Sequence, residues 1–234
     1  MPDGPDPYLY PDVASAGDLA WFLQPRLTAA GSLLRAQPPP APGYARTGAE
    51  VRAGDRHASV RLGLHERVFL LDLWMRGVLM AQGQTTDPDA VAGAIALFLA
   101  GAKIRQVGAA RPFIRFGSFA EAFERGEPAA IAHRWRQYLD LSSTRAPYLL
   151  NLYAFLVAAS DSPRLRALFP FTSHVDLGLR ESVVGGGALA WVRPSGDGLY
   201  LVATNRRDLD KPTALAPADA PRSVGLVLAA LNSR

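Results

Sequence analysis

Residues 66–84, with the sequence ERVFLLDLWMRGVLMAQGQ, decide the fold class of this chain. Two runs rich in Val, Leu and aromatic residues flank Met75-Arg76-Gly77, where the chain can turn. The pattern predicts an antiparallel hairpin with strands at 66–73 and 78–84. A sheet is therefore expected in this part of the protein.

The two faces of this hairpin differ in chemistry. A three-residue loop places Asp72 opposite Met80 and Trp74 opposite Val78. One face is apolar and is expected in the core: Phe69, Leu71, Leu73, Leu79 and Ala81. The opposite face mixes polar and apolar groups and resembles the floor of a pocket: Val68, Leu70, Asp72, Trp74, Met80, Gln82 and Gln84. In the alternative, a helix covers this second face and satisfies Asp72.

The rest of the chain predicts an α+β protein with a small antiparallel sheet, a helical middle region and a C-terminal β-hairpin plus helix. Further strands are expected at 50–53, 58–62, 174–179, 188–193 and 199–204. Helices are expected at 86–100, 118–126, 127–141, 147–159 and 219–232. Gly185–Gly187 precedes a strand and not a helix, so it predicts a hairpin loop and not a phosphate-binding loop.

The N-terminal part is expected to be separate from this domain. A helix is predicted at 12–35, and residues 36–44 are rich in proline, which is typical of a polyproline-type linker. The predicted organisation is therefore an arm, helix and linker over 1–44 and an α+β main domain over 45–234.

Composition excludes several classes of protein. The chain has 234 residues and a net charge of +4, and only Lys103 and Lys211 among its 25 basic residues are not arginines. These charges are dispersed, so no nucleic-acid partner is expected. The absence of cysteine excludes disulfides, thiolate nucleophiles and Cys-based metal sites. The longest apolar runs are shorter than the ~20 residues that span a bilayer, so a cytoplasmic protein without a membrane partner is expected.

His174 is the histidine in the most distinctive context, because Ser173 precedes it where a helical segment gives way to a strand. No histidine pair has the spacing of a zinc-binding helix, and no cofactor motif is present, so no metal or cofactor is expected. Ser173, His174 and Asp72 are the candidate catalytic residues, since a serine nucleophile needs a base within hydrogen-bond reach. In the alternative, Ser173 and His174 only hold a structural corner.

Arginines that alternate with aromatic residues are the remaining signal for binding. This pattern occurs at 111–116 and 133–136, and such groups can hold a carboxylate or stack on a planar ligand. It is also common at ordinary surfaces. The candidate substrate-binding residues are Trp74, Gln82, Arg115 and Trp135.

Several segments resemble DUF6193, a bacterial family of unknown function. The resemblance lies in Trp74-x-x-Gly77 with Ala81-Gln82-Gly83, in the helix at 120–126, in Trp135 and above all in residues 165–174, LRALFPFTSH. It extends from about residue 45 onward. Members of the family occur in biosynthetic gene clusters, so the resemblance implies a role in natural-product biosynthesis.

Two functions are expected from this resemblance and from the residues. The first is an accessory protein or small enzyme that acts on a small-molecule, peptide or polyketide intermediate, with a protein partner from the same pathway. The second is a non-catalytic binding or immunity-type partner protein. The sequence leaves open whether the protein is an enzyme.

Overall fold

The computed structural model describes residues 4–140, 147–211 and 216–233. The chain divides into two compact units, Met1–Glu124 and Arg125–Arg234. Each unit combines helices with an antiparallel sheet, which confirms the predicted α+β class. The division falls after Glu124, whereas the sequence predicted a main domain that begins at residue 45.

The first unit is built on a six-stranded sheet in which every strand pairs with its neighbours in chain order. All neighbouring strands are antiparallel. The strands are β1 (Ala36–Gln37), β2 (Gly48–Ala53), β3 (Arg56–Leu62), β4 (Phe69–Met75), β5 (Val78–Thr85) and β6 (Ile114–Arg115). The predicted strands of this part are confirmed, and β1 and β6 extend the sheet at its two edges.

The β4–β5 turn is shorter than the three-residue loop that was predicted. Met75 lies opposite Val78, so only Arg76 and Gly77 form the turn. Both have positive φ, 50° for Arg76 and 78° for Gly77. A turn with positive φ at both residues matches the twist of the flanking strands, which is why two-residue hairpins favour this conformation.

A β-bulge next to Leu73 gives β5 one residue more than β4 and corrects the predicted pairing. Asp72 lies opposite Gln82 and not opposite Met80. Met80 is buried, while Leu79 is 36% exposed, so these two side chains lie on the faces opposite to those predicted. The sequence pattern alone assumed an unbroken alternation, and the extra residue breaks it.

Residues 4–124 also contain five α-helices: α1 (Pro11–Ala16), α2 (Leu19–Ala29), α3 (Pro88–Leu99), α4 (Ile104–Ala110) and α5 (Ser118–Glu124). The predicted helix at 12–35 is divided at Gly17, whose φ of 93° ends α1, and Asp18 caps α2 by accepting a hydrogen bond from the Trp21 backbone N–H. Asp87 caps α3 in the same way.

The helix α2 contributes to the core of the first unit. Leu19, Leu23 and Leu27 of α2 are fully buried. The Pro-rich segment 36–44 was predicted to be a linker, but its first two residues form β1, with Ala36 opposite Val51 of β2. Backbone pairing with β2 therefore holds the first two residues of this segment in place.

The second unit contains a four-stranded antiparallel sheet with the strand order β10-β9-β8-β7. The strands are β7 (Phe169–Ser173), β8 (Asp176–Arg180), β9 (Ala190–Gly196) and β10 (Leu199–Ala203). The helices are α6 (Glu127–Leu139), α7 (Pro147–Ser160), α8 (Pro163–Arg166) and α9 (Ala220–Asn232), and a 3₁₀ segment spans Arg206–Asp210. The predicted C-terminal hairpin is confirmed as β9 and β10, but β7 was not predicted.

The apolar helix α7 lies at the centre of the second unit, as its composition predicted. Leu152, Phe155 and Leu156 are fully buried, and α7 packs against α6 and α9. Among the residues that the structure describes, no helix combines the length and the apolar character needed to cross a membrane.

Candidate functional site

The predicted site residues fall into both units, and each group is described within its own unit. Asp72, Trp74, Gln82 and Arg115 belong to the first unit. Ser173, His174 and Trp135 belong to the second.

Asp72, Gln82 and Arg115 come together on the first sheet, at a surface that we call the Asp72 groove. One carboxylate oxygen of Asp72, Oδ1, accepts a hydrogen bond from Gln82 Nε2 at 2.9 Å. The other, Oδ2, accepts from Arg61 Nη2 at 3.1 Å. Arg115 lies opposite Gln82 in the register of β5 and β6. The groove is open, with a volume of about 690 Å³, and Leu70 and Phe113 supply apolar walls.

The carboxylate of Asp72 is held in this groove as an ion-paired anchor. Its side chain is only 14% exposed, and both of its oxygens are engaged. Within residues 4–124 the Asp72 carboxylate is hydrogen-bonded to Arg61 and Gln82 and not to a hydroxyl group, so its predicted catalytic role stays a prediction. The guanidinium of Arg115 has no hydrogen-bond partner among these residues and remains available to an anion.

Trp74 does not line the Asp72 groove. Its ring stacks on the imidazole of His57, with the ring centroids 5.8 Å apart and the planes within 1° of parallel. The two residues are paired across β3 and β4. Burial lowers the pKa of His57, and the positive charge of Arg52 lowers this pKa further. Trp74 therefore lies on the same face of β4 as Asp72, as predicted, but its ring packs on His57, its partner across β3 and β4, and not in the groove with Asp72 and Gln82.

The second unit contains a buried carboxylate, Asp176, that the sequence analysis did not select. Arg193 donates two hydrogen bonds to it, from Nε to Oδ1 at 2.6 Å and from Nη2 to Oδ2 at 3.0 Å. Arg206 donates a third from Nε to Oδ2 at 2.8 Å. We call these three residues the Asp176 cluster. Asp176 is fully buried, whereas the arginine side chains are 23% and 37% exposed.

The arginines keep Asp176 ionised. Burial by itself would raise the pKa of Asp176, but the hydrogen bonds and charges of Arg193 and Arg206 outweigh burial and hold the pKa below its usual value. The pKa of Arg193 is raised by its hydrogen bonds to Asp176 and Asp210. The cluster is therefore a permanently charged network at neutral pH.

His174 and Ser173 lie beside this cluster and do not form the predicted catalytic arrangement. His174 is exposed in a two-residue turn between β7 and β8 and has a positive φ of 58°. Its Nδ1 atom is 3.3 Å from Arg206 Nη2, and the same Nη2 donates to the backbone oxygen of Ser173 at 3.4 Å. The imidazole therefore faces a guanidinium, while the oxygens of Asp176 are occupied by arginines.

Trp135 is a core residue, which corrects the prediction that it binds substrate. Its side chain is fully buried in the second unit. The indole Nε1 donates a hydrogen bond to the backbone oxygen of Leu168 at 2.9 Å. A side chain in this position stabilises the packing of α6 and cannot contact a ligand at the surface.

An open depression of about 620 Å³ lies against the Asp176 cluster, and we call it the Trp191 depression. It is lined by Gly187, Ala188, Trp191, Arg193, Thr204, Asn205, Arg206, Arg207 and Asp210. The guanidinium of Arg206 lies 5.6 Å from the centre of the Trp191 ring. The rings of Trp191 and Phe171 pack in a T-shaped arrangement, with the ring centroids 5.3 Å apart. The depression thus combines an aromatic wall with three guanidinium groups.

Sequence analysis missed the residues of this depression, although one signal was present. Trp191 and Arg193 are two residues apart on a strand, which places both on the same face. Arg206 and Arg207 follow Asn205, whose side chain accepts a hydrogen bond from the Arg207 backbone N–H at 3.0 Å. The side chain of Arg207 is exposed and has no partner among residues 147–211 and 216–233.

This arrangement is suited to bind a ligand in which an anionic group is attached to a planar or apolar body. A guanidinium fork binds carboxylate or phosphate oxygens, and an indole face binds a planar or apolar body. Among the described residues, no three His, Cys, Asp or Glu side chains are grouped so that they could hold a metal ion.

Residues 129–232 match the model of DUF6193, described as a family of unknown function. The matched part contains the segment at 165–174 and Trp135, on which the resemblance chiefly depends. It also contains the Asp176 cluster and the Trp191 depression. The predicted extension of the resemblance back to residue 45 lies outside the match. No curated protein and no solved structure matches the chain.

Proposed function

We propose that this protein, whose residues 129–232 match the DUF6193 family model, binds an anionic small-molecule or peptide intermediate at the Trp191 depression. The proposed setting is bacterial natural-product biosynthesis, in which the protein is an accessory that holds a peptide or polyketide intermediate. The observation that carries the binding proposal is the position of Arg206, which is fixed by buried Asp176 and lies beside Trp191.

Asp176 preorganises the site, because its hydrogen bonds fix the conformations of the Arg193 and Arg206 side chains before a ligand binds. Arg193 is held at both ends, because Asp176 accepts from Nε and Nη2 while the backbone oxygen of Leu209 and the carboxylate of Asp210 accept from Nη1. A side chain that is already ordered loses less conformational entropy when a ligand binds. The depression therefore offers a preorganised positive surface.

The charges of the depression favour an anion over a cation or a neutral ligand. Three arginines, Arg193, Arg206 and Arg207, are grouped with two carboxylates, Asp176 and Asp210. Asp176 and Asp210 are already neutralised by hydrogen bonds from Arg193. The Arg207 side chain, which has no partner in the described part of the second unit, supplies the donors that an incoming carboxylate or phosphate would accept from.

Binding is a better account of this geometry than catalysis. A nucleophilic mechanism needs a hydroxyl hydrogen-bonded to a base that a third group orients. In the second unit, no hydrogen bond joins the Ser173 hydroxyl and His174 among the described residues, and the carboxylate that could orient His174 is held by Arg193 and Arg206. The role proposed is therefore to hold an intermediate.

Calorimetric titration with cinnamate, phenyl phosphate and neutral cinnamamide tests this proposal. We expect the two anions to bind and the amide to bind at least about tenfold more weakly, which corresponds to ~1.4 kcal/mol. Arg207→Gln should lower anion affinity by a similar factor without changing the melting temperature, because that side chain holds no partner in the described structure.

Two further variants locate the binding surface. Trp191→Phe should weaken the binding of all three probes, since each carries an aromatic ring that would pack on the indole. Arg222→Gln is the matched control, because Arg222 is an exposed arginine of α9 that does not line the depression. Equal affinity for cinnamate and cinnamamide, or an equal loss in Arg207→Gln and Arg222→Gln, would overturn the proposal.

A further inference from the structure

An apolar pocket in the first unit is distinct from both surfaces described above. It lies between the loop that follows α2, one side of α3 and the end of α4, and its volume is about 760 Å³. The lining is largely aliphatic and includes Leu33, Leu34, Ala96 and Leu97. Leu33 is 97% exposed. Pockets of this size and composition are typical of small-molecule sites.

One cation, Arg111, lines this pocket at the end of α4. Its guanidinium lies against the backbone of α3 at Gly93, where an added Cβ would be only 2.3 Å from Nη2. No other residue type at position 93 would leave room for the side chain in this position. The sequence therefore provides space for a guanidinium against an otherwise apolar helix face.

The hydrogen bonds of Arg111 are incomplete within residues 4–140. Its Nε atom is buried and has no partner there. Its Nη1 donates only to the backbone oxygen of Ala110, at the long distance of 3.5 Å. Burying a donor without a partner is unfavourable, and more so for a charged group. A ligand carboxylate would supply acceptors to this guanidinium, because a carboxylate accepts two parallel N–H bonds from such a group.

We infer that this pocket binds a carboxylate that carries an apolar tail, with the carboxylate on Arg111 and the tail along the aliphatic lining. Charge complementarity selects the head group, and the exposed Leu33 beside Leu97 supplies apolar surface that the tail would cover. The inference rests on first-unit residues only, so it does not depend on the function proposed for the Trp191 depression.

Decanoate and decanol, used below their aggregation concentrations, provide the test because they share a tail and differ in charge. We expect decanoate to bind at least tenfold more tightly than decanol in calorimetric titration. Arg111→Gln should remove this preference while decanol binding is unchanged. Leu33→Ser should weaken both ligands, and it should fold normally because Leu33 is almost fully exposed.

Arg105→Gln is the matched control, since Arg105 is on the same helix, is 79% exposed, pairs with Glu121 and does not line the pocket. If Arg111→Gln fails to fold, Arg111→Lys keeps the charge without the planar fork and should reduce the preference for decanoate severalfold. Equal binding of decanoate and decanol, no binding of decanoate, or an unchanged preference in folded Arg111→Gln or Arg111→Lys would each overturn the inference.

Discussion

The replacement Asp176→Asn tests whether the buried carboxylate holds the second unit's arginines in place. The variant keeps the size of the side chain and removes its charge. It loses three charge-assisted hydrogen bonds, of 2.6, 3.0 and 2.8 Å, from Arg193 and Arg206. Its amide nitrogen replaces either Oδ1, which faces one donor of Arg193, or Oδ2, which faces one donor each of Arg193 and Arg206, so at least one guanidinium donor is left without an acceptor.

The expected loss of stability follows from burial. Removing one partner of a buried ion pair costs about 3–5 kcal/mol. The side chains of Arg193 and Arg206 are 23% and 37% exposed, so water can solvate them partly once they are released. We therefore expect the low end of this range, about 3 kcal/mol, which lowers the melting temperature by about 6–12 °C in a chain of this length.

Scanning calorimetry between pH 3 and pH 7, with urea titration at the same pH values, measures this difference. The folded-state pKa of Asp176 lies below its unfolded-state value, so its contribution to the free energy of unfolding is fully present above about pH 4. The contribution is lost as the pH falls through the folded pKa. The difference in the free energy of unfolding between wild type and variant should thus be constant near neutral pH and should become smaller in acid.

Asp210→Asn is the control for this experiment. Asp210 accepts one hydrogen bond from Arg193 at 2.8 Å but is 68% exposed, so its removal should cost less than about 1 kcal/mol. The reasoning is refuted if Asp176→Asn is as stable as wild type or if both variants lose the same free energy of unfolding. It is also refuted if the stability difference between wild type and Asp176→Asn increases below pH 4.

Three further substitutions test other parts of the fold by urea denaturation. Tyr10→Phe should destabilise by about 1–3 kcal/mol, because the buried hydroxyl accepts from Val68 N at 2.9 Å and faces three backbone oxygens; no loss would contradict this role. Trp135→Phe should cost about 2 kcal/mol through the unpaired Leu168 oxygen, and unchanged stability would argue against a core role. Gly178→Ala places a Cβ 2.5 Å from the Phe171 ring and should cost about 1–3 kcal/mol, whereas a stabilised variant would contradict the close packing.

Local pattern predicted most of the secondary structure of the first unit. The alternation in β4 and β5 and the Asp87-Pro88 helix start are short-range signals, and both elements form as expected. The bulge at Leu73 was not predicted, because a single extra residue leaves the composition of a strand unchanged. That one residue nevertheless places Asp72 opposite Gln82 and buries Met80.

The site of the second unit could not be predicted from neighbouring residues. Asp176 is paired with arginines that are 17 and 30 positions away in the chain. Such pairs depend on the order and register of β8 and β9 and on the turn after β10, which a local pattern does not determine. His174 was selected for its sequence context, but the carboxylate two residues later has the stronger interactions. Trp135 was selected as a substrate-binding residue because arginines flank it, but a local pattern of arginines and aromatic residues does not distinguish buried from exposed rings.

The central claim is that the Trp191 depression binds an anion, and NMR of nitrogen-bound side-chain protons during a cinnamate titration tests it most directly. The four tryptophans give four indole N–H signals, and that of fully buried Trp135 in the same unit is an internal control. We predict that the Trp191 indole and the Arg206 Nε–H shift together along one saturation curve while Trp135 does not move. Saturable shifts elsewhere, with Trp191 and Arg206 unchanged, would contradict the claim.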